Sequence, residues 1–260
     1  MKLRTFTKVA AFLGMTVLAT SAVAQRGGPP PGPPPAPQDA APINLDRLEG
    51  QWVAIVNEDW LWRMRVAEKG DFTSIPYNDR AREVGQAWDE SMIGSCLAYG
   101  AAGVMRQPQR LRIEWESDSV VRLETDYGQQ TRRFIFNEPA PENTPSSLQG
   151  YSMASWEYDA ALPIGFAGFS RSTDDLRNGS MKIETSHLTA AWLRSNGAPV
   201  SANATVTEYV DVFADPNGND WAVFTTIVHD PEYLNTDFIT SSHYRRDNDR
   251  SAWDPRPCGM

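Results

Sequence analysis

Thr205-Val206-Thr207-Glu208-Tyr209-Val210-Asp211-Val212-Phe213 decides the fold. β-Branched and aromatic residues fill it, and Val206, Val210 and Val212 share one face with Glu208. Alternation with period two marks a strand that buries one face. Asp215-Pro216-Asn217-Gly218-Asn219 follows, and Asn-Gly supplies the positive φ of a tight hairpin. Residues 220–228 then read as the returning strand. The pattern repeats outward from this hairpin. Leu111-Arg112-Ile113-Glu114-Trp115 and Val121-Arg122-Leu123-Glu124 alternate, and residues 130–136, 151–158, 181–188 and 237–246 add further strands. Nearer the start, Trp52-Val53-Ala54-Ile55-Val56 is an apolar run. Residues 60–66 alternate, with Trp60, Trp62, Met64 and Val66 on one face and Arg63 and Arg65 on the other. Sequential strands at this spacing predict a mainly β, antiparallel domain closed into a barrel. One interruption is expected. Asn78-Asp79 fits the cap of a helix carrying Ala81, Val84 and Trp88, and the helical or irregular pattern continues, which predicts a helical insertion near residues 78–102.

The first 24 residues read as a cleaved signal peptide. Lys2, Arg4 and Lys8 precede an apolar run from Val9 to Ala19, and Ala22-Val23-Ala24 offers small residues at the cleavage point. The expected location is the periplasm or the extracellular space. Residues 25–42 are dominated by proline, which lacks an amide donor and holds the chain extended, so they read as a tether. The folded domain is expected over residues 43–260. The formal charge is −9, and becomes −12 once the leader's three cations are removed. That balance speaks against nucleic acid and anionic lipid as partners, and no membrane insertion is expected. The chain has two cysteines, Cys96 and Cys258. An even count in an oxidising compartment predicts a disulfide, here closing a loop of about 160 residues and contributing roughly 3–5 kcal/mol. No histidine lies at ligand spacing from either cysteine, so no metal is expected. Oligomeric state does not follow from these patterns.

Asp46-Arg47-Leu48-Glu49-Gly50-Gln51-Trp52 resembles the Gly-x-Trp entry of lipocalin-type barrels. Further resembling segments are Cys96-x-x-Tyr99-Gly100 ending in Met105-Arg106, Gln149-Gly150-Tyr151-Ser152, Ser155-Trp156-Glu157 and Val206-Thr207-Glu208-Tyr209. Thr226-Ile227-Val228-His229-Asp230-Pro231-Glu232-Tyr233 completes them. Together they span residues 50–258 and resemble a family of secreted bacterial lipocalin-like (calycin-type) β-barrel proteins. The resemblance implies the barrel and a tryptophan plugging its closed end; it implies no activity. The helical insertion departs from the simple eight-strand, up-and-down pattern.

Candidate chemistry rests on few residues. Glu208 sits among valines on one strand face, so an inward carboxylate is either paired or protonated. Pairing would use an arginine such as Arg63, Arg112 or Arg132; protonation would make Glu208 a catalytic acid or base. His187 shares a face with Ile183 and Thr185, and His243 one with Ile239 and Ser241, which makes these two histidines its candidate catalytic partners. His229 ends a strand. Trp60, Trp62 and Arg63 together offer an aromatic wall with one cation, and Tyr209, Asp126 and Gln129 are further candidate ligand-binding residues. No nucleophile elbow, phosphate loop or dinucleotide fingerprint occurs, so no cofactor is expected. Three functions are compatible with this inventory. The first is binding of an apolar or aromatic small molecule in the barrel cavity. The second is a cofactor-independent lyase, isomerase or hydrolase working by acid–base chemistry there. The third is a structural envelope role with a filled barrel.

Overall fold

The computed structural model describes residues 41–42, 44–56, 67–93, 96–158 and 179–258. The predicted leader, nearly all of the predicted tether, the predicted strand at 60–66 and the candidates Trp60, Trp62 and Arg63 lie outside the described residues. The elements run β1 (Gly50–Ile55), α1 (Asp79–Gln86), α2 (Ala101–Val104), β2 (Arg110–Ser117), β3 (Val120–Thr125), β4 (Tyr127–Gly128) and β5 (Thr131–Phe136). They continue β6 (Tyr151–Tyr158), β7 (Gly179–Ser186), β8 (Ala191–Arg194), β9 (Ala198–Val200), β10 (Thr205–Ala214), β11 (Asp220–His229), β12 (Phe238–Arg246) and β13 (Arg256–Pro257). The chain is mainly β, and among the described residues nine strands close into a barrel in the order β1-β12-β11-β10-β7-β6-β5-β3-β2.

The β10–β11 hairpin pairs Thr205 with His229 through to Ala214 with Asp220, around the predicted Asn-Gly turn. The barrel departs from a wholly antiparallel ring at one place, because β5 and β6 run parallel. Strand direction reverses at every antiparallel contact, so a closed ring with an odd number of strands needs a parallel pair. The connection over residues 137–150 carries the chain back to the start of β6 and makes that pair.

Both barrel ends are covered. Where β1 begins, a 3-10 turn at Leu45–Arg47 and Leu48 pack against Trp52, whose indole Nε1 donates to the Leu48 carbonyl at 2.9 Å. The Arg246 guanidinium lies 4.1 Å from the Trp52 ring centre and donates to the carbonyls of Arg47 and Glu49. Gly50, at φ 135°, holds a backbone conformation that L side chains rarely adopt, and a Cβ there would also push that guanidinium aside. The opposite end carries the insertion. Asn78 caps α1 by accepting the Ala81 amide at 3.0 Å, as predicted. α1, α2 and the β8–β9 hairpin bury Phe72, Tyr77, Leu193 and Val200 against Val206, Val228 and Phe238 of the barrel. No helix among the described residues is long and apolar enough to cross a membrane.

Cys96 and Cys258 form a disulfide, with Cα atoms 4.9 Å apart and a sequence separation of 162. It holds β13 parallel to β4, with Arg256 beside Tyr127 and Pro257 beside Gly128. We expect Cys258→Ser to lower the unfolding free energy in urea by roughly 3–5 kcal/mol, as loop closure requires. Unchanged stability would show that the staple constrains nothing.

Candidate functional site

Inward side chains alternate along each strand and sort into layers. On β10, Val206 belongs to the core under the insertion and Val210 to the barrel core, with Glu208 between them. On β7 and its continuation, Leu188 and Ile183 belong to those same two cores and flank Thr185. On β11, Val228 and Phe224 flank Thr226. Ser152 on β6 and Arg132 on β5 complete a polar layer that is buried throughout. Arg132 grips Glu208 bidentately, Nη1 to Oε1 at 3.0 Å and Nη2 to Oε2 at 2.5 Å. Nη2 also donates to Thr185 Oγ1 at 3.3 Å, and Thr185 shares a 2.8 Å hydrogen bond with Ser152. The guanidinium carbon lies 5.0 Å from the centre of the Phe134 ring. Arg132 Nε is buried with no protein hydrogen-bond partner, a cost that the bidentate pair must offset.

Of the arginines considered for Glu208, the structure selects Arg132. Arg112 points elsewhere, donating to Gln51 Oε1 at 3.2 Å and stacking on Trp253. The histidines are not brought to this layer. β7 ends at Ser186, and His187 follows at φ 56°, partly exposed and hydrogen-bonded to Ser186 Oγ; the expected shared face with Ile183 and Thr185 is corrected by this left-handed turn. His243 does share a face with Ile239 and Ser241, but that face is the outside of the barrel, since Ser242 and Tyr244 are the buried neighbours. His229 is exposed, its Nδ1 2.9 Å from Asp237. Tyr209 also faces outward, between the buried Glu208 and Val210.

Among the described residues, the side chains at the middle of the barrel are closely packed. Trp52, Leu111, Leu123, Phe134, Ile183, Val210 and Tyr244 are all 0 % accessible. A side chain with no accessible surface lines no void that water can enter. Aromatic side chains line the rim at the end where β1 begins. There Trp115, 38 % exposed, stacks on Phe136 at 5.5 Å between ring centres, and Phe136 meets Trp156 at 4.5 Å.

A separate cavity of about 530 Å³ lies beside the disulfide, bounded by Arg110, Asp126, Tyr127, Asp254, Arg256 and Pro257. The Arg110 amide donates to Asp126 Oδ1 at 2.8 Å, and the Asp126 carbonyl accepts from the Arg256 amide at 2.9 Å. Burial pushes the Asp126 carboxyl above its ordinary pKa, against the backbone N–H groups and the Arg110 guanidinium that pull it down. Gln129 is exposed in the adjoining turn at φ 51°. Arg110 and Arg256 were not legible as site residues from strand patterns, although the pairing of Cys258 places Arg256 two residues from the staple. Among the described residues, no group of three or more His, Cys, Asp or Glu side chains is placed to hold a metal ion. No family model, curated protein or solved structure matches this chain, so the functional argument rests on its residues.

Two outcomes follow. Glu208→Gln should cost about 3–5 kcal/mol in urea unfolding, because it leaves a buried arginine without its counter-charge. Glu184→Gln, on the outer face of the neighbouring strand, should cost under about 1 kcal/mol. Equal effects would contradict the inward pairing. Asp126→Asn keeps the carbonyl that accepts the Arg110 amide. A raised carboxyl pKa means that the folded form holds the proton more tightly, so its contribution is present at acid pH and is lost as pH rises through the raised value. The stability of Asp126→Asn relative to wild type should therefore increase from acid to neutral pH; a decrease would contradict the burial of this group.

Proposed function

We propose that this chain is a secreted, non-catalytic β-barrel protein with a structural core for an interior, acting in the envelope or extracellular space through its outer surface. The observation that carries this reading is the absence of accessible surface on the inward side chains of the barrel's middle, Trp52, Leu111, Leu123, Phe134, Ile183, Val210 and Tyr244. Both Glu208 oxygens are occupied by Arg132, so acid–base chemistry there would have to break a buried ion pair first. The candidate histidines lie away from it on the surface. The disulfide fits an oxidising compartment, and the basic, apolar, small-residue order of the first 24 residues fits export to one.

The aromatic rim favours a second reading, in which an apolar or aromatic small molecule binds at the barrel mouth, on Trp115, Phe136 and Trp156, instead of deep inside. Titration with naphthol and a medium-chain fatty acid, followed by methyl NMR, separates the readings. The filled core predicts no shift at Ile183 or Val210 at any ligand concentration. Saturable shifts at those methyls would overturn it, and shifts confined to residues beside Trp115 would support the second reading.

A further inference from the structure

The geometry points to the cavity beside the disulfide as a binding site for a neutral saccharide. Its walls come from three distant parts of the chain: Arg110 at the start of β2, Asp126 and Tyr127 at β4, and the C-terminal strap from Asp254 to Pro257. The volume of about 530 Å³ lies within the range of small-molecule sites.

The charge pattern selects the ligand's charge. Two guanidiniums and two carboxylates face the cavity, and the cations already have counter-ions. Arg256 sets Nε and Nη2 on Asp254 Oδ2 at 2.8 and 2.5 Å, and Arg110 Nε donates to Asp247 Oδ2 at 3.0 Å. A charged ligand would compete with these pairs, whereas a neutral one leaves them intact. The donor and acceptor pattern selects the ligand's functional group. Arg110 Nη1 and Asp126 Oδ2 are 4.0 Å apart, too far for a direct hydrogen bond. One hydroxyl between them can accept from the guanidinium and donate to the carboxylate, and no other simple neutral group does both so compactly. Asp126 is buried, so a donor that reaches it is worth more than one in open water. Tyr127, Pro108 and Pro257 add apolar surface suited to the C–H face of a sugar ring. A purely apolar ligand would instead desolvate the charged groups without replacing their water.

The strap is also the cavity's outer wall, and the short β13–β4 pairing and the disulfide fasten it against β4. Saccharide binding should therefore require the oxidised protein.

Saturation-transfer NMR and calorimetry on the oxidised full chain test this, with glucose, N-acetylglucosamine, cellobiose and maltose as neutral probes. Glucuronate, glucosamine and benzoate are the charged comparisons. We expect at least one neutral sugar to bind saturably, and the charged probes to bind severalfold more weakly. Tyr127→Ala and Asp126→Asn, each checked for an intact fold by circular dichroism, should each lower affinity at least tenfold, as should reduction with dithiothreitol. Three results would overturn the inference: no neutral sugar binding below about 10 mM, tighter binding of a charged probe, or sugar binding that survives both substitutions. None of these results bears on whether the barrel core is filled, which the methyl shifts at Ile183 and Val210 decide separately.

Discussion

The ion pair between Arg132 and Glu208 is the constraint on which the barrel depends. It runs from β5 to β10, with β6 and β7 lying between them in the wall, so it spans the interior as a chord. The strand contact it crosses is the weak one. β5 and β6 run parallel through only three register pairs, Phe134–Ser152 to Phe136–Ala154, where β10 and β11 share ten. Parallel pairing is slightly less stable per residue, and this is where the odd-numbered ring closes. A one-residue slip of β10 would turn Glu208 outward and bring Thr207 and Tyr209 inward, leaving Arg132 buried and unpaired. The pair thus penalises the wrong register more than it rewards the right one, which is the best-attested use of buried charge.

The same layer divides the interior. Ser152, Thr185, Glu208 and Thr226 lie between a core that fills the barrel and a second core built from the helical insertion. Each hydroxyl or charge placed there needs a partner, and the chain of hydrogen bonds from Ser152 through Thr185 to Arg132 supplies several. The rim aromatics and the cavity at the staple are the places where the described residues gather unusual chemistry outside the core.

Much of this was legible in the sequence, and the failures are instructive. Alternation placed the strands at 111–115 and 205–213, and Asn78 announced the helix, because those signals are local. A carboxylate among Val206, Val210 and Val212 marked Glu208 as paired or protonated if that face turned inward. Its partner stayed ambiguous, since Arg112 and Arg132 both sit in alternating strands and only barrel closure decides which one crosses the interior. His187 looked inward because periodicity ignores the change to positive φ that ends β7. The cavity was the least legible feature. Asp126 and Tyr127 could be suspected from their turn, but Arg110 and Arg256 join them only through β2–β3 pairing and the disulfide.

A double-mutant cycle on Arg132→Met and Glu208→Leu, by urea unfolding, tests the central claim most directly. If the pair pins the closure of the barrel, the double mutant will lose less than the sum of the single losses, with a coupling of at least about 1.5 kcal/mol. Single losses that add to within about 0.5 kcal/mol would contradict the account, because the two side chains would then act independently of one another.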